Sequence, residues 1–204
     1  MPNEAYKSWH QPKRNQYQEN GKLKKGQTYQ GFYNVQNPSK YFGNPGQVIF
    51  RSSWEMAFCK FCDMSPSVVK WSSEPIKVPY YDRVSKLDEC YKYGLDPNNP
   101  ANWLVRNYNT DYWMEVDQGD GTTKKMFIEI KPAEKLQRPK PPAENASIKE
   151  KRNFNIRAKE YLINEAKFAA LNAWAEKTGV KFYVLTEHTL ARLIGRFWNE
   201  IEQK

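Results

Sequence analysis

Glu129, Ile130 and Lys131 set a carboxylate and an ammonium on the same side of an extended chain, because side chains two apart in a strand share a face. Upstream, Asp111, Trp113, Glu115 and Asp117 alternate with Tyr112, Met114 and Val116 in the same way. Between the two runs lies Gly119-Asp120-Gly121, a hairpin signal. A hairpin there lays the runs side by side, so that Asp111 and Glu129 share a face on neighbouring strands and Lys131 lies two residues further along. Two hard carboxylates suit Mg²⁺, which takes one or two protein carboxylates and keeps several waters. Such a metal lowers the pKa of bound water and stabilises charge developing on a phosphate. An adjacent ammonium can hold the attacking water or that charge, and the Ile130 carbonyl is also within reach of the metal. Glu and Lys alternating on a strand face equally suit solvation or cross-strand pairing, so the spacing alone leaves both readings open.

The elements that must position these residues follow from periodicity. The spacing of Trp54, Ala57, Phe58, Phe61 and Met64 predicts a helix over 52–64, capped by Ser52 or Ser53 and stopped by Pro66. Alternation predicts a strand over 68–80, with Pro75 and Pro79 marking an edge or a bend. Residues 82–106 read as an irregular, turn-rich insertion. Strands follow over 108–117 and 124–131, and then a basic, Pro-rich loop over 132–152. A long helix from Asn153 to Lys177 carries a narrow stripe of Ala158, Leu162, Ala166, Ala169 and Ala173, suited to close packing on a sheet, and Gly179 ends it. A strand over 181–186 and a helix over 188–202 complete the chain. The strand–helix–strand step over 124–186 favours a parallel crossover, and the whole reads as an α/β fold with a mixed sheet.

The 204-residue length favours one domain with appendages, with residues 1–47 as a basic N-terminal arm and 48–204 as the domain proper. Seven Trp, thirteen Tyr and ten Phe can build a core despite a hydrophobic content of only 39%. No apolar run is long enough for a membrane span, and the polar Met1–Asn20 stretch argues against a secretory leader. Three cysteines, Cys59, Cys62 and Cys90, argue against a disulfide framework. Cys59 and Cys62 lie one helical turn apart, but Cys90 and His188 do not make the second close pair that zinc sites use, so buried helix cysteines are the better reading. Neither His10 nor His188 has a triad partner, and no Gly-rich phosphate loop is present. The net charge of +9 points to a polyanionic partner. It is concentrated in residues 1–50, with seven basic side chains against two acidic, and in 131–159, with nine against three. Interleaved Tyr, Phe and Asn suit those stretches to phosphate contact.

A helix glutamate, then Asp, then Glu-X-Lys resembles the PD-(D/E)XK nuclease superfamily. Phe50-Arg51-Ser52-Ser53-Trp54-Glu55, Trp71-Ser72-Ser73-Glu74-Pro75-Ile76, Tyr108-Asn109-Thr110-Asp111-Tyr112 and Ile128-Glu129-Ile130-Lys131-Pro132 resemble the head completion nucleases of large tailed phages. Those nucleases are in turn similar to the TnsA endonuclease subunit of some transposons. Asn164-Glu165-Ala166-Lys167 and Val184-Leu185-Thr186-Glu187 extend the resemblance, which spans about residues 29–190. It implies a restriction-endonuclease-like α/β fold with a mixed sheet flanked by helices. It also implies a Mg²⁺-dependent DNA endonuclease, with one or two ions, that cleaves packaged double-stranded DNA as heads are completed and joined to tails. Portal and neck proteins of the capsid would then be partners, and the virion and, during assembly, the host cytoplasm its locations.

By the same resemblance Glu55, Asp111 and Glu129 are the acidic catalytic and metal-binding residues, and Lys131 is the catalytic lysine. Glu55 also suits its helix simply by facing the positive end of the dipole. Arg51, Asn164, Lys167, Lys135 and Arg138 are candidate DNA contacts. Asn164 and Lys167, three apart, share a helix face that either reaches DNA or is solvated. Thr110 stands where the superfamily often has Pro. Two other functions fit the same residues: a catalytically silent DNA-binding neck or head protein, and a TnsA-like nuclease of a mobile element.

Overall fold

The computed structural model describes the backbone of residues 30–202. Two compact units make up the chain, one of Met1–Pro75, Asp111–Ile130 and Tyr183–Lys204, the other of Ile76–Thr110 and Lys131–Phe182.

The first unit is built on helix α1 (Ser53–Met64), where Ser52 caps the N-terminus by accepting the Glu55 N–H at 3.1 Å. Its three-to-four spacing buries Ala57, Phe58 and Phe61, with Cys59 and Cys62 beside them. The four-stranded sheet runs in the order β3 (Val68–Ser73), β6 (Tyr112–Asp117), β7 (Thr123–Ile130) and β8 (Lys181–Leu185). Helix α4 (Glu187–Glu202) lies against α1. Leu190 and Ile194 from α4 join Phe58, Trp71, Tyr112, Met114 and Ile128 in one apolar cluster. Helices flanking a mixed sheet are the architecture the sequence predicts.

Residues 30–47, expected as part of the arm, fold into this unit, whereas 1–29 lie outside the described residues. Strand β1 (Gly31–Phe32) pairs antiparallel with β2 (Ile49–Phe50). The fully buried Asp63 explains how the intervening segment is held. Its carboxylate accepts from the Tyr33 hydroxyl at 3.0 Å and from the N–H groups of Gln36 and Asn37 at 2.7 and 3.0 Å. Lys40 donates to the carbonyls of Asp63 and Ser65 at 2.9 and 2.7 Å, satisfying groups that a helix C-terminus leaves open.

The second unit corrects three sequence expectations. The apolar alternation over 68–80 is not one strand: β3 ends at Ser73, and β4 (Lys77–Asp82) belongs to a separate two-stranded ribbon. The expected strand over 108–117 is likewise divided, because β5 (Leu104–Asn109) pairs antiparallel with β4 and only β6 enters the main sheet. The 82–106 stretch is therefore not irregular throughout, since it supplies helix α2 (Leu87–Tyr93) and the first half of β5. Helix α3 (Ile148–Thr178) starts earlier than predicted, where Ser147 and Glu150 form a reciprocal capping box. Of α3 only Leu171 and Ala175 are buried. Leu162, Ala166, Ala169 and Ala173 from the expected packing stripe line an open groove of about 650 Å³ beside Val78, Tyr80 and Trp103.

Candidate active site

The β6–β7 register pairs Tyr112 with Ile128, Trp113 with Phe127 and Met114 with Met126. Continued one step past the strand end, it sets Asp111 opposite Glu129, as the hairpin reading requires. A direct bond confirms the approach, for the Asp111 carboxylate accepts the Ile130 N–H on Oδ2 at 2.9 Å. One acidic side chain is thus fastened to the peptide unit between the other and Lys131. Strand β7 ends at Ile130, so Lys131, half-buried, is the first residue beyond it.

Glu129 is buried far more deeply than a solvated strand face would allow, with 1% of its surface exposed. Its Oε1 atom receives no hydrogen bond, although the residue does interact elsewhere. Asp111 is half-buried. No group of three or more His, Cys, Asp or Glu side chains close enough to share an ion occurs among the described residues. The Asp111 carboxylate reaches the peptide unit that follows Glu129, and carboxylate oxygens are the hard donors Mg²⁺ takes, completing its shell with water.

Glu55 lies in the first turn of α1 and its carboxylate is engaged locally. Oε2 accepts the Arg51 N–H at 2.8 Å and Oε1 the Ser52 hydroxyl at 3.2 Å. Those donors are the residue before the N-cap and the N-cap hydroxyl itself, so Glu55 braces the cap without completing a reciprocal capping box. Tyr112 of β6 ties this turn to the hairpin by donating to the Glu55 carbonyl at 3.3 Å, with Cys59 Sγ 3.4 Å from the same hydroxyl. Burial, then the charges of Cys59 and Glu55, push the Tyr112 phenol well above its ordinary range.

Two further residues belong to this neighbourhood, and sequence reasoning missed one of them. Glu74 takes φ +47°, the one positive value at a non-glycine residue among those described. Its N–H donates to the Asp111 carbonyl at 2.9 Å, and its carboxylate pairs with Arg51, Nη1 to Oε1, at 2.5 Å. Burial pulls the Arg51 guanidinium down, but the bond and charge of Glu74 and the charges of Glu55 and Asp111 outweigh it and hold it above its ordinary value. A left-handed glutamate is a costly conformation. The sequence signals were its place in the Trp71–Ile76 motif, which assigns it no role, and its position directly before Pro75, which reads as loop punctuation.

The other candidate DNA contacts lie in the second unit. Arg138 is exposed, and Lys135 is in an ion pair with Glu160. Lys167 sits over the rings of Tyr108 and Tyr80 at 5.4 and 5.8 Å, a cation–π arrangement that its spacing from Asn164 does not foretell. Cys59 and Cys62, discounted as zinc ligands, are buried in the core, where burial above all pushes the Cys59 thiol up to about 12. No helix among the described residues is long and apolar enough to cross a membrane.

A family model described as TnsA-like endonuclease N terminal matches residues 65–187, a span that holds Glu74, Asp111, Glu129 and Lys131 but not Glu55. The chain is also 33% identical over 165 residues to the head completion nuclease of Enterobacteria phage T4, a match covering 81% of this chain and 95% of the phage protein.

Proposed function

Since the chain belongs to the TnsA-like endonuclease family, of restriction-endonuclease-like fold, we propose that it is a Mg²⁺-dependent DNA endonuclease of phage head completion. It trims or cuts packaged double-stranded DNA so that filled heads can join tails, working beside portal and neck proteins in the maturing virion within the host cytoplasm. The observation that carries the chemistry is the Asp111 carboxylate bonded to the Ile130 N–H, between Glu129 and Lys131.

Asp111 and Glu129 are the side chains that hold the metal, one or two ions. When bound, it supplies an activated water and offsets charge on the phosphate. The Ile130 N–H fixes the orientation of the Asp111 carboxylate, removing a freedom that each turnover would otherwise have to freeze out. The Lys131 ammonium steadies the attacking water and the charge that builds on the phosphate oxygens. Glu55 closes the cap of α1 and adds negative charge beside the site. Arg138, Lys135, Asn164 and Lys167 hold phosphates of the duplex without reading its sequence.

A supercoiled plasmid tests this reading. Wild type nicks it with Mg²⁺ and not with EDTA, and Lys131→Ala lowers the rate about a hundred-fold or more. Nicking that is indifferent to EDTA or survives Lys131→Ala sinks the proposal. The deep burial of Glu129 favours one rival, a head protein that binds DNA without cutting it. That rival requires normal, infectious heads from an Asp111→Ala phage, whereas the nuclease requires heads that fill but fail to join tails.

A further inference from the structure

Arg51 occupies an unusual place for a surface arginine. Its backbone N–H serves the Glu55 carboxylate at 2.8 Å, while its guanidinium, 48% exposed, grips Glu74, itself 32% exposed. Glu74 is tied through its own N–H to the Asp111 carbonyl at 2.9 Å. The one left-handed non-glycine residue among those described therefore holds a carboxylate against an arginine, one hydrogen bond from the residue that anchors the candidate site. Strain of that kind persists where the surroundings over-determine it, and it gathers at functional sites. The planar fork of arginine binds a carboxylate and a phosphodiester with the same geometry.

We propose that Glu74 is a stand-in for the substrate phosphate: it holds Arg51 in its gripping pose until DNA arrives, and a backbone phosphate beside the scissile bond then takes its place on the guanidinium. Arg51 is thereby a phosphate-binding residue and Glu74 a positioning residue acting through it. This rests on the nuclease reading and extends it, since nothing in Asp111, Glu129 or Lys131 requires an arginine. The exchange trades one half-exposed ion pair for another, so its net effect on affinity is modest and is felt in binding rather than in the chemical step. The same pairing discourages unspecific anions, because a competitor must displace a tethered carboxylate.

Binding of a short fluorescent duplex in EDTA, followed by anisotropy, isolates the exchange from cleavage. Glu74→Gln keeps the shape and removes the charge; it is expected to tighten binding about three-fold, and in Mg²⁺ to lower KM. Arg51→Ala is expected to weaken binding and to reduce the slope of log affinity against log salt by about one. In the double variant the Glu74→Gln gain vanishes, because its effect passes through Arg51. Arg51→Lys, which keeps the charge and loses the fork, binds between wild type and Arg51→Ala. Thermal melts restrict the comparison to variants as stable as wild type. Unchanged or weaker binding by Glu74→Gln overturns the exchange, as does an equal gain in the Arg51→Ala background, which would be plain loss of repulsion. A wild type that neither binds duplex nor nicks the plasmid with Mg²⁺ overturns the nuclease reading as well, so the two failures are told apart.

Discussion

Asp111 is held at both of its polar ends. Its carbonyl accepts the Glu74 N–H and its carboxylate the Ile130 N–H, each at 2.9 Å. Two substitutions separate what the carboxylate end contributes. Asp111→Asn keeps an oxygen for the Ile130 N–H, so its stability stays within about 1 kcal/mol of wild type in urea titration, while Asp111→Ala strands that donor and costs about 1–3 kcal/mol. Cleavage falls in both by at least about a hundred-fold, the upper end of the loss seen for groups that only orient a metal ligand. Equal unfolding midpoints for the two variants would show that the bond adds nothing to stability. The alignment of Asp111 with Glu129 was legible because a two-residue period and a Gly-Asp-Gly turn suffice to produce it. The deep burial of Glu129 was not, since a strand's own alternation does not tell how thickly its face is covered. Nor was the conformation of Glu74, imposed by a carbonyl 37 positions later in the chain.

At the scale of elements, the helices and the hairpin were readable because their patterns are local. The β4–β5 ribbon was not. Alternation runs on through Pro75 as though nothing ends at Ser73, and the partner strand, Leu104–Asn109, buries only Tyr108, leaving no apolar rhythm to find. The small-residue stripe of α3 does mark a face that approaches strands closely, but its partner is β4 of the ribbon, and Leu162, Ala166, Ala169 and Ala173 also line a groove beside it. Segment 30–47 looked like an arm because its anchors, Asp63 above all, lie far along the chain. Asp63→Ala leaves two backbone N–H groups and the Tyr33 hydroxyl without their acceptor and is expected to cost about 3 kcal/mol or more. Asp63→Asn costs less. Urea midpoints for the two variants check this, and a loss in Asp63→Ala below about 1 kcal/mol would mean that the segment hardly contributes to stability.

For the whole molecule, pH is the telling variable. Burial, ahead of the other causes, raises the Cys59 thiol from 9.0 to about 12 and pushes Cys62, Tyr112 and Tyr33 upward. These groups keep their protons in the folded state and lose them on unfolding once the pH passes their ordinary values. The folded chain then binds more protons than the unfolded one, so stability is full below about pH 8.5 and declines as the pH climbs from there toward 12. Melting temperatures from pH 7 to 11 are expected to fall along the upper part of that range, with a shallower fall in Cys59→Ala. A flat profile would contradict the burial of these groups. The net charge of +9 adds a falling affinity for DNA as salt rises.

The contribution of α1 and α4 to the first core sets a lower limit on any working fragment. The stretch that matches the endonuclease family, 65–187, omits both Phe58 and Leu190. Protein expressed from that stretch alone would turn Trp71, Tyr112, Met114 and Ile128 toward water and drop out of solution. A soluble truncation has to begin upstream of Tyr33 and run past Ile194, so recombination could not transplant the β6–β7 hairpin into another scaffold without carrying its two covering helices along.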